Sequence, residues 1–164
     1  MKFQPAPRKQ LLNTFDSVKD QLAEMKGPIM IETALLDDNM SVPASTSFTP
    51  ILLRNMTVDH VHEGYQLICH TIRTPFRMSG LMIIAEDNNG DAVTLALYNY
   101  KVEYNPETSV PLDTILSIKN PYLRTFQSGD IGIRVDDPSM ISVLSSADPI
   151  LMDWKQPHSQ INEL

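Results

Sequence analysis

A helical pattern of apolar residues is the first regular feature of the chain, between residues 8 and 26. The apolar positions recur at spacings of four, three, four and three, at Leu11, Phe15, Val18, Leu22 and Met25. This spacing places all five side chains on one stripe of an α-helix, and Gly27-Pro28 is a typical helix stop. The sequence therefore predicts an N-terminal amphipathic helix over residues 8–26.

Two roles fit this helix. Its apolar stripe is narrow and covers about two heptads, which is too short for a stable coiled coil by itself. The structural interpretation, which we prefer, packs the stripe on the helix's own domain. The functional interpretation makes the same residues a docking helix for a partner: Leu11, Phe15, Val18, Leu22 and Met25.

Alternating and apolar runs dominate the middle of the chain. Five strands are predicted. They cover residues 65–72, 81–85, 92–98, 114–119 with a continuation at 122–126, and 131–135. Asn-Asn-Gly-Asp at 88–91 and Ser-Gly-Asp at 128–130 predict tight turns between them. Pro75 is expected to end the first strand, and Asn120-Pro121 to bend the fourth. Asp137-Pro138-Ser139 predicts a capped short helix over residues 139–145.

These elements predict a mainly β protein with α+β trimmings. Five short strands, with a longer connection at 101–113 between the third and the fourth, suit a small five-stranded OB-like antiparallel barrel. The polar stretch 37–50 reads as a linker. The predicted organisation is an N-terminal helix and extension at 1–36, this linker, a barrel domain at 51–156 and a tail at 157–164.

Composition narrows the class of protein. The chain has 164 residues and a net charge of −7, whereas proteins that neutralise phosphates usually carry the opposite balance. A single cysteine, Cys69, excludes an internal disulfide and favours a reducing, intracellular compartment, either cytoplasm or nucleus. The N-terminus lacks the apolar run of a secretory signal, and no apolar stretch approaches the roughly 20 residues of a membrane span.

Residues that could carry chemistry have simpler structural explanations. His60-x-His62 has the spacing of two metal ligands on one strand face, but Cys69 and His70 point to opposite faces of the next strand. Glu86-Asp87 is interpreted as a solvated turn rather than as an acid–base pair. The sequence predicts no catalytic residue, no cofactor and no metal site, and hence no enzyme.

Aromatic and basic residues form the remaining candidate site. A face of this composition is how OB-type barrels hold single-stranded nucleic acid, by stacking bases beside cations. The alternative is that the aromatic rings fill the barrel and the arginines pair with the surplus carboxylates, and the acidic balance favours this alternative. The candidate ligand or partner face comprises Arg73, Phe76, Arg77, Tyr98, Tyr100, Lys101, Tyr122 and Arg124.

An ordered series of short motifs runs through the β region of the chain. The motifs are Pro75-x-Arg77-Met78, Glu86-Asp87-x-x-Gly90-Asp91, Leu97-Tyr98-Asn99, Ile118-Lys119-x-Pro121-Tyr122, Gly129, Ile133-Arg134-Val135-Asp136-x-Pro138-Ser139, Asp148-Pro149 and Trp154. This series resembles the N-terminal accessory domain of fungal tetratricopeptide-repeat plus SET-domain proteins. The resemblance covers about residues 52–156, and its signal lies in the order of the motifs rather than in any one of them.

The resemblance implies an accessory domain placed ahead of helical repeats and a SET domain that binds S-adenosylmethionine. The sequence carries neither the repeats nor the SET signatures, so no catalytic or cofactor residue is carried over. The expected function is a non-catalytic protein-interaction module, whose partner is another protein or the downstream repeats. The alternative is single-stranded nucleic-acid binding by the aromatic–basic face, which the acidic charge disfavours. No membrane partner is expected.

Overall fold

A computed structural model describes residues 1–26, 47–78, 80–99 and 112–151. One α-helix is present in these residues, α1 (Arg8–Lys26), and its bounds agree with the predicted helix. Within the same residues, no helix is long and apolar enough to cross a lipid bilayer.

The described residues also contain nine strands and three short 3₁₀ turns, so the prediction of a mainly β protein is confirmed. The strands are β1 (Thr49–Ile51), β2 (His60–Val61), β3 (Tyr65–Arg77), β4 (Leu81–Asp87), β5 (Ala92–Leu97), β6 (Ile115–Lys119), β7 (Tyr122–Thr125), β8 (Ile131–Val135) and β9 (Ile141–Leu144). Strands β1 and β2 were not predicted, because segments of three and two residues show no periodicity.

The strands form one mixed sheet in the order β2-β7-β8-β5-β4-β3-β6-β9, with β1 paired to β3. The predicted antiparallel arrangement is wrong in two places, since β1 pairs with β3 and β5 pairs with β8 in parallel. The chain leaves β5, builds β6 and β7, and re-enters beside β5 in the same direction. Such a long crossover is what a parallel pair requires.

A short connection forces the sheet to curl. Strands β7 and β6 stand five steps apart in the strand order, which is about 24 Å in a flat sheet. Lys119 and Tyr122, which end β6 and begin β7, are three Cα steps apart and can span at most about 11 Å. The sheet therefore bends into a half-barrel. Asn120, at φ 49°, makes the predicted bend and hydrogen bonds to Gly64 and Tyr65.

Two apolar layers lie on the two sides of this sheet. The inner layer fills the concave side and includes Leu67, Leu95 and Leu116, each 0% exposed. The outer layer covers part of the convex side, where Leu12 and Phe15 of α1 pack with residues of β3, β4 and β5. Because strand side chains alternate between the two sides, β3 and β4 are apolar on both.

Two local predictions fail. Pro75 does not end the first strand, because β3 continues to Arg77 with register irregularities on both sides of Arg73. Proline is tolerated where the ladder is already broken, since no N–H is needed there. The predicted helix at 139–145 is instead a 3₁₀ turn, Pro138–Met140, followed by β9. The Asp137 cap is real, but it opens a single turn.

The predicted domain limits fall mostly on residues outside the described ranges. Of the linker at 37–50, residues 37–46 are not described, and Thr49-Pro50 belong to β1. The end of the barrel domain after residue 151, Trp154 and the tail at 157–164 also lie outside.

Replacement of Gly132 by alanine is expected to destabilise the fold. A Cβ atom at this position would lie 2.6 Å from Cε2 of Phe126 and 2.7 Å from the backbone oxygen of Thr94. That oxygen belongs to β5, whose pairing with β8 prevents it from moving away. We expect Gly132→Ala to lower the free energy of unfolding by about 1–3 kcal/mol, as measured by urea denaturation. The cost should persist in a Phe126→Ala background, and wild-type stability would contradict the account.

Candidate functional site

The convex side of the sheet is covered unevenly by the chain. Helix α1 covers β3, β4 and β5, and the turn Pro149–Leu151 packs with Ile68, Ile115 and Leu144 on the side of β6 and β9. Neither element covers the outer side of β2, β7 and β8. The candidate site lies there, and we refer to Val61, Tyr122, Arg124 and Arg134 as the open face.

Strand alternation and register bring these four residues together. Leu123 and Ile133 point into the inner core at 0% exposure, so their neighbours Tyr122, Arg124 and Arg134 point outward. Tyr122 lies opposite Arg134, and Val61 lies opposite Tyr122 from the other side. Directly opposite residues share one face of a sheet. The open face is thus a row across three strands, with Arg124 one row away.

Arg134 is already engaged by its own chain. Its guanidinium lies 4.2 Å from the centre of the Tyr98 ring, within cation–π range. Its Nε also donates to both carboxylate oxygens of Asp136, at 2.9 and 3.2 Å. This cluster joins the ends of β5 and β8, and the amide of Asn99 adds a bond to the Asp136 carbonyl.

Two aromatic rings near the open face are packed against backbone. Tyr98 contacts Arg134 on one part of its ring and lies so close to Gly80 that a Cβ there would be 3.1 Å from ring atom Cε1. The ring of Phe126 covers Gly132, the residue opposite Arg124. Tyr122, in contrast, is half-buried and has no ring contact within the described part of the chain.

Arg124 differs from the other arginines of this domain. Its side chain is half-buried, and among the described residues it has neither an ion pair nor a hydrogen bond. Val61 is 52% exposed, which makes it one of the few large exposed apolar side chains described. The open face therefore presents one uncompensated cation beside an exposed apolar residue and a tyrosine.

The structure divides the predicted aromatic–basic face into two. Tyr122 and Arg124 lie on the open face, and Tyr98 lies beside it through Arg134. Arg73 and Phe76 lie instead on β3 next to α1, and Arg77 ends that strand. Tyr100 and Lys101 fall outside the described residues. Pairing across β7 and β8 could not be predicted without knowing the sheet order.

Val61 and Arg134 were missed as members of this site. Arg134 had a signal in the sequence, since its alternation with Ile133 and Val135 shows that it points outward. Val61 had none, because β2 has two residues and its place beside β7 follows from long-range pairing.

The predicted docking helix is covered by its own domain. Leu12 and Phe15 are buried, and Leu11, Val18 and Leu22 are half-buried against the same cluster. The rings of Phe15 and Phe76 meet with centroids 4.8 Å apart. The side chain of Met25 is outside the described part. The arrangement is the one that the structural interpretation anticipated.

A buried carboxylate attaches α1 to the sheet. Glu86 is 0% exposed and forms an ion pair with Arg8, from the first turn of α1, and a contact of 3.3 Å with Nε2 of His70. The interpretation of Glu86-Asp87 as a solvated turn is therefore wrong. Strand β4 extends two residues further than predicted, through both carboxylates, and places Glu86 beneath the helix.

Asp87, the second buried carboxylate, accepts hydrogen bonds from three backbone amides and joins the segment at Leu53 to the β4–β5 hairpin. Its Oδ2 accepts from the amide of Leu53 at 2.9 Å, and its Oδ1 accepts from the amides of Asn89 and Asp91 at 3.0 and 3.1 Å. Burial raises the pKa of Asp87 above its usual range, although these three donors act against the shift. Asp87 organises the β4–β5 hairpin.

The two histidines of the His-x-His motif are hydrogen-bonded to backbone, and the cysteine is buried in the core. Nε2 of His62 accepts from the amide of Thr57 at 2.9 Å, so Nδ1 carries the proton and donates to the carbonyl of Pro121 at 2.9 Å. Nδ1 of His60 bonds to the carbonyl of Val58. Cys69 is fully buried in the inner core, and burial raises the pKa of its thiol. The described residues contain no group of three or more His, Cys, Asp or Glu side chains that could hold a metal ion.

Comparison with known proteins gives limited similarity. No protein-family model matches the chain. A protein from Gibberella zeae named methyltransferase is 31% identical over 114 residues, covering 65% of this chain and 15% of that protein. The chain thus spans about 15% of the length of this curated relative. Distant similarity to a fungal methyltransferase, the coarser part of the predicted resemblance, is confirmed.

Solved structures give weaker matches. Schizosaccharomyces pombe Pot1pC bound to ssDNA matches with a TM-score of 0.48 and 13% identity, over 64% of this chain and 91% of that one. A protein from Leishmania major described as an aspartyl-tRNA synthetase matches with a TM-score of 0.42 and 13% identity, over 79% of this chain and 26% of that one. Both scores are below 0.5, so neither match bears on the function of this chain.

Two arginines that link α1 to the sheet should differ sharply in their contribution to stability. Arg8 pairs with fully buried Glu86, whereas Arg73 pairs with Asp16, which is 44% exposed. Loss of Arg8 leaves a buried charge with one partner fewer, at a cost of about 3–5 kcal/mol, whereas exposed pairs contribute about 0–1 kcal/mol. We expect Arg8→Met to lower the unfolding free energy far more than Arg73→Met in urea denaturation. Equal losses would contradict this account.

The raised pKa of Asp87 predicts a pH dependence of stability. The folded protein holds this proton to a higher pH than the unfolded chain, so the unfolding free energy falls as pH rises from about 3.9 to the raised pKa. Wild type should therefore gain stability relative to Asp87→Asn, which cannot titrate, when the pH is lowered from about 7 to about 4. Urea denaturation at both values measures the difference. A difference that is constant, or grows with pH, would refute the assignment.

Proposed function

We propose that this chain is a non-catalytic protein-interaction module, and that it corresponds to the accessory domain of fungal tetratricopeptide-repeat plus SET-domain proteins. The observation that supports it best is the open face, where exposed Val61 and half-buried Tyr122 and Arg124 stand on paired strands. Tyrosine and arginine are enriched among the residues that dominate protein–protein binding energy. A face held by strand pairing presents them with little loss of entropy on binding.

The histidine, cysteine and carboxylate side chains that could take part in catalysis have structural contacts instead, which supports a non-catalytic role. His60 and His62 are bonded to backbone carbonyls, and Cys69 lies in the core with its thiol protonated. Glu86 and Asp87 attach the helix and the hairpin to the sheet. Cys69, Glu86 and Asp87 are buried, so a substrate could reach them only by disrupting the fold.

The strand order supports an OB-like architecture as the finer description of the fold. In that description the five barrel strands are β3, β4, β5, the bent pair β6–β7, and β8. OB folds bind oligonucleotides on the face of their second and third strands, here β4 and β5. Helix α1 packs on that face through Phe15, Ile84 and Ala92. A partner therefore meets the domain on β2, β7 and β8 instead.

Binding of single-stranded nucleic acid is the second candidate. Arg124, which has no ion pair among the described residues, lies near Tyr122, and this combination of cation and ring suits a phosphate and a base. Three observations count against it. The rings of Tyr98 and Phe126 are already packed, the usual ligand face is covered, and the net charge is −7. Protein binding, in an intracellular compartment, remains the proposal.

Site-specific photo-crosslinking tests the proposal. Benzoylphenylalanine replaces Tyr122 on the open face, or Asn13 on the exposed side of α1 as the matched control, in cells that express the chain. We expect a protein adduct at position 122, its loss when Arg124→Glu is added, and none at position 13. An adduct that nuclease removes would replace the proposal with nucleic-acid binding. Equal adducts at both positions would exclude the open face as the contact.

A further inference from the structure

We infer that the partner segment of the open face is an acidic peptide, which lies across the strands and places a carboxylate on Arg124. This inference rests on the proposed function and adds the chemistry of the partner. Three observations support it: the positive charge of the open face, the hydrogen bonds that occupy the backbone of β7, and the packing of the nearby aromatic rings.

The charge of the open face is positive although the chain is acidic. Asp136 pairs with Arg134, whereas Arg124 has no ion pair among the described residues, and the carboxylate of Asp59 bonds to its neighbour Thr125 instead. A guanidinium binds a carboxylate in a planar, two-bond geometry that is stronger than a bond between neutral groups. In a chain with 20 acidic and 13 basic residues, an arginine without a partner is the exception.

The edge of β7 is already saturated, so the partner cannot bind by adding a strand there. The amide of Asp59 bonds to the carbonyl of Leu123 at 2.7 Å, and its carboxylate accepts from the amide of Thr125 at 2.8 Å. The amide and the ring of His62 both bond to the carbonyl of Pro121. Protein edges are commonly blocked in this way against strand addition. A partner that contacts β7 is therefore recognised through side chains on the open face rather than through the backbone of β7.

The rings and the exposed valine favour a peptide over an oligonucleotide. Stacking of successive bases needs several free aromatic faces. Tyr98, Tyr122 and Phe126 are all half-buried, and the rings of Tyr98 and Phe126 also lie against Arg134, Gly80 and Gly132. Val61, opposite Tyr122, adds an exposed aliphatic surface with which a base makes no specific contact. A peptide with an aliphatic or aromatic residue next to an acidic one would match this face, because the apolar side chain can contact Val61 and Tyr122 while the carboxylate binds Arg124.

Selection from a random-peptide library displayed on phage tests the inference without a known partner. The baits are the wild-type chain, Arg124→Glu, the milder Arg124→Gln, and Lys9→Glu. The last is a matched control, since Lys9 is exposed on α1 and undergoes the same charge change. We expect wild type and Lys9→Glu to enrich peptides with Asp or Glu next to an apolar residue. Binding of these peptides should weaken at least about tenfold on Arg124→Gln and disappear on Arg124→Glu.

The other outcomes separate the inference from the proposed function. Enriched peptides without an acidic excess, whose binding depends on Tyr122 and not on Arg124, would overturn the inference and keep the open face as a protein-binding site. Failure to enrich any peptide, together with salt-dependent binding of single-stranded DNA that Arg124→Gln abolishes, would overturn both. Equal loss of binding with Lys9→Glu and Arg124→Glu would show a nonspecific charge effect and also overturn the inference.

Discussion

The two-residue connection between β6 and β7 constrains the whole sheet. Because Asn120-Pro121 must join strands that stand far apart in the strand order, the sheet has to curl and cannot lie flat. Curling gives the concave side a closed apolar core and leaves a convex side that is too large for one helix to cover. Helix α1 shields one part and the turn near residue 150 a second. Binding is proposed on β2, β7 and β8, the part of the convex side that neither of these two elements covers.

The polar residues of this domain serve the curled sheet before they serve any partner. Asp87 accepts hydrogen bonds from the amides around the β4–β5 hairpin, and Glu86 forms an ion pair with α1. His62 bonds to Thr57 and Pro121 and so connects two segments beside β7. Each is a buried or half-buried polar group with a defined partner, as burial of polar groups requires. Arg124 departs from this pattern, because it is half-buried and has neither an ion pair nor a hydrogen bond among the described residues.

Local signals in the sequence were sufficient to place the helix and to locate the longer strands, since Phe15 and Leu22 keep helical spacing and Val93 and Leu95 keep strand spacing, but not to find the ends of β3 and β4. The parallel pair of β5 and β8 was not predictable, because it depends on a crossover between distant segments. Burial of Glu86 was not predictable either, since its partner Arg8 lies 78 positions away. The candidate site was half predicted: Tyr122 and Arg124 were chosen for their chemistry, but grouped with Arg73 and Phe76, which face α1.

The placement of the single cysteine has a practical consequence. Cys69 is enclosed by the inner core and its thiol resists ionisation, so alkylating reagents reach it when the core opens. The rate at which this thiol is modified in the native chain therefore reports how often the core opens. The same enclosure means that a cysteine introduced on the surface would be the one readily labelled thiol. Fluorophores could then be attached at chosen positions with Cys69 left in place.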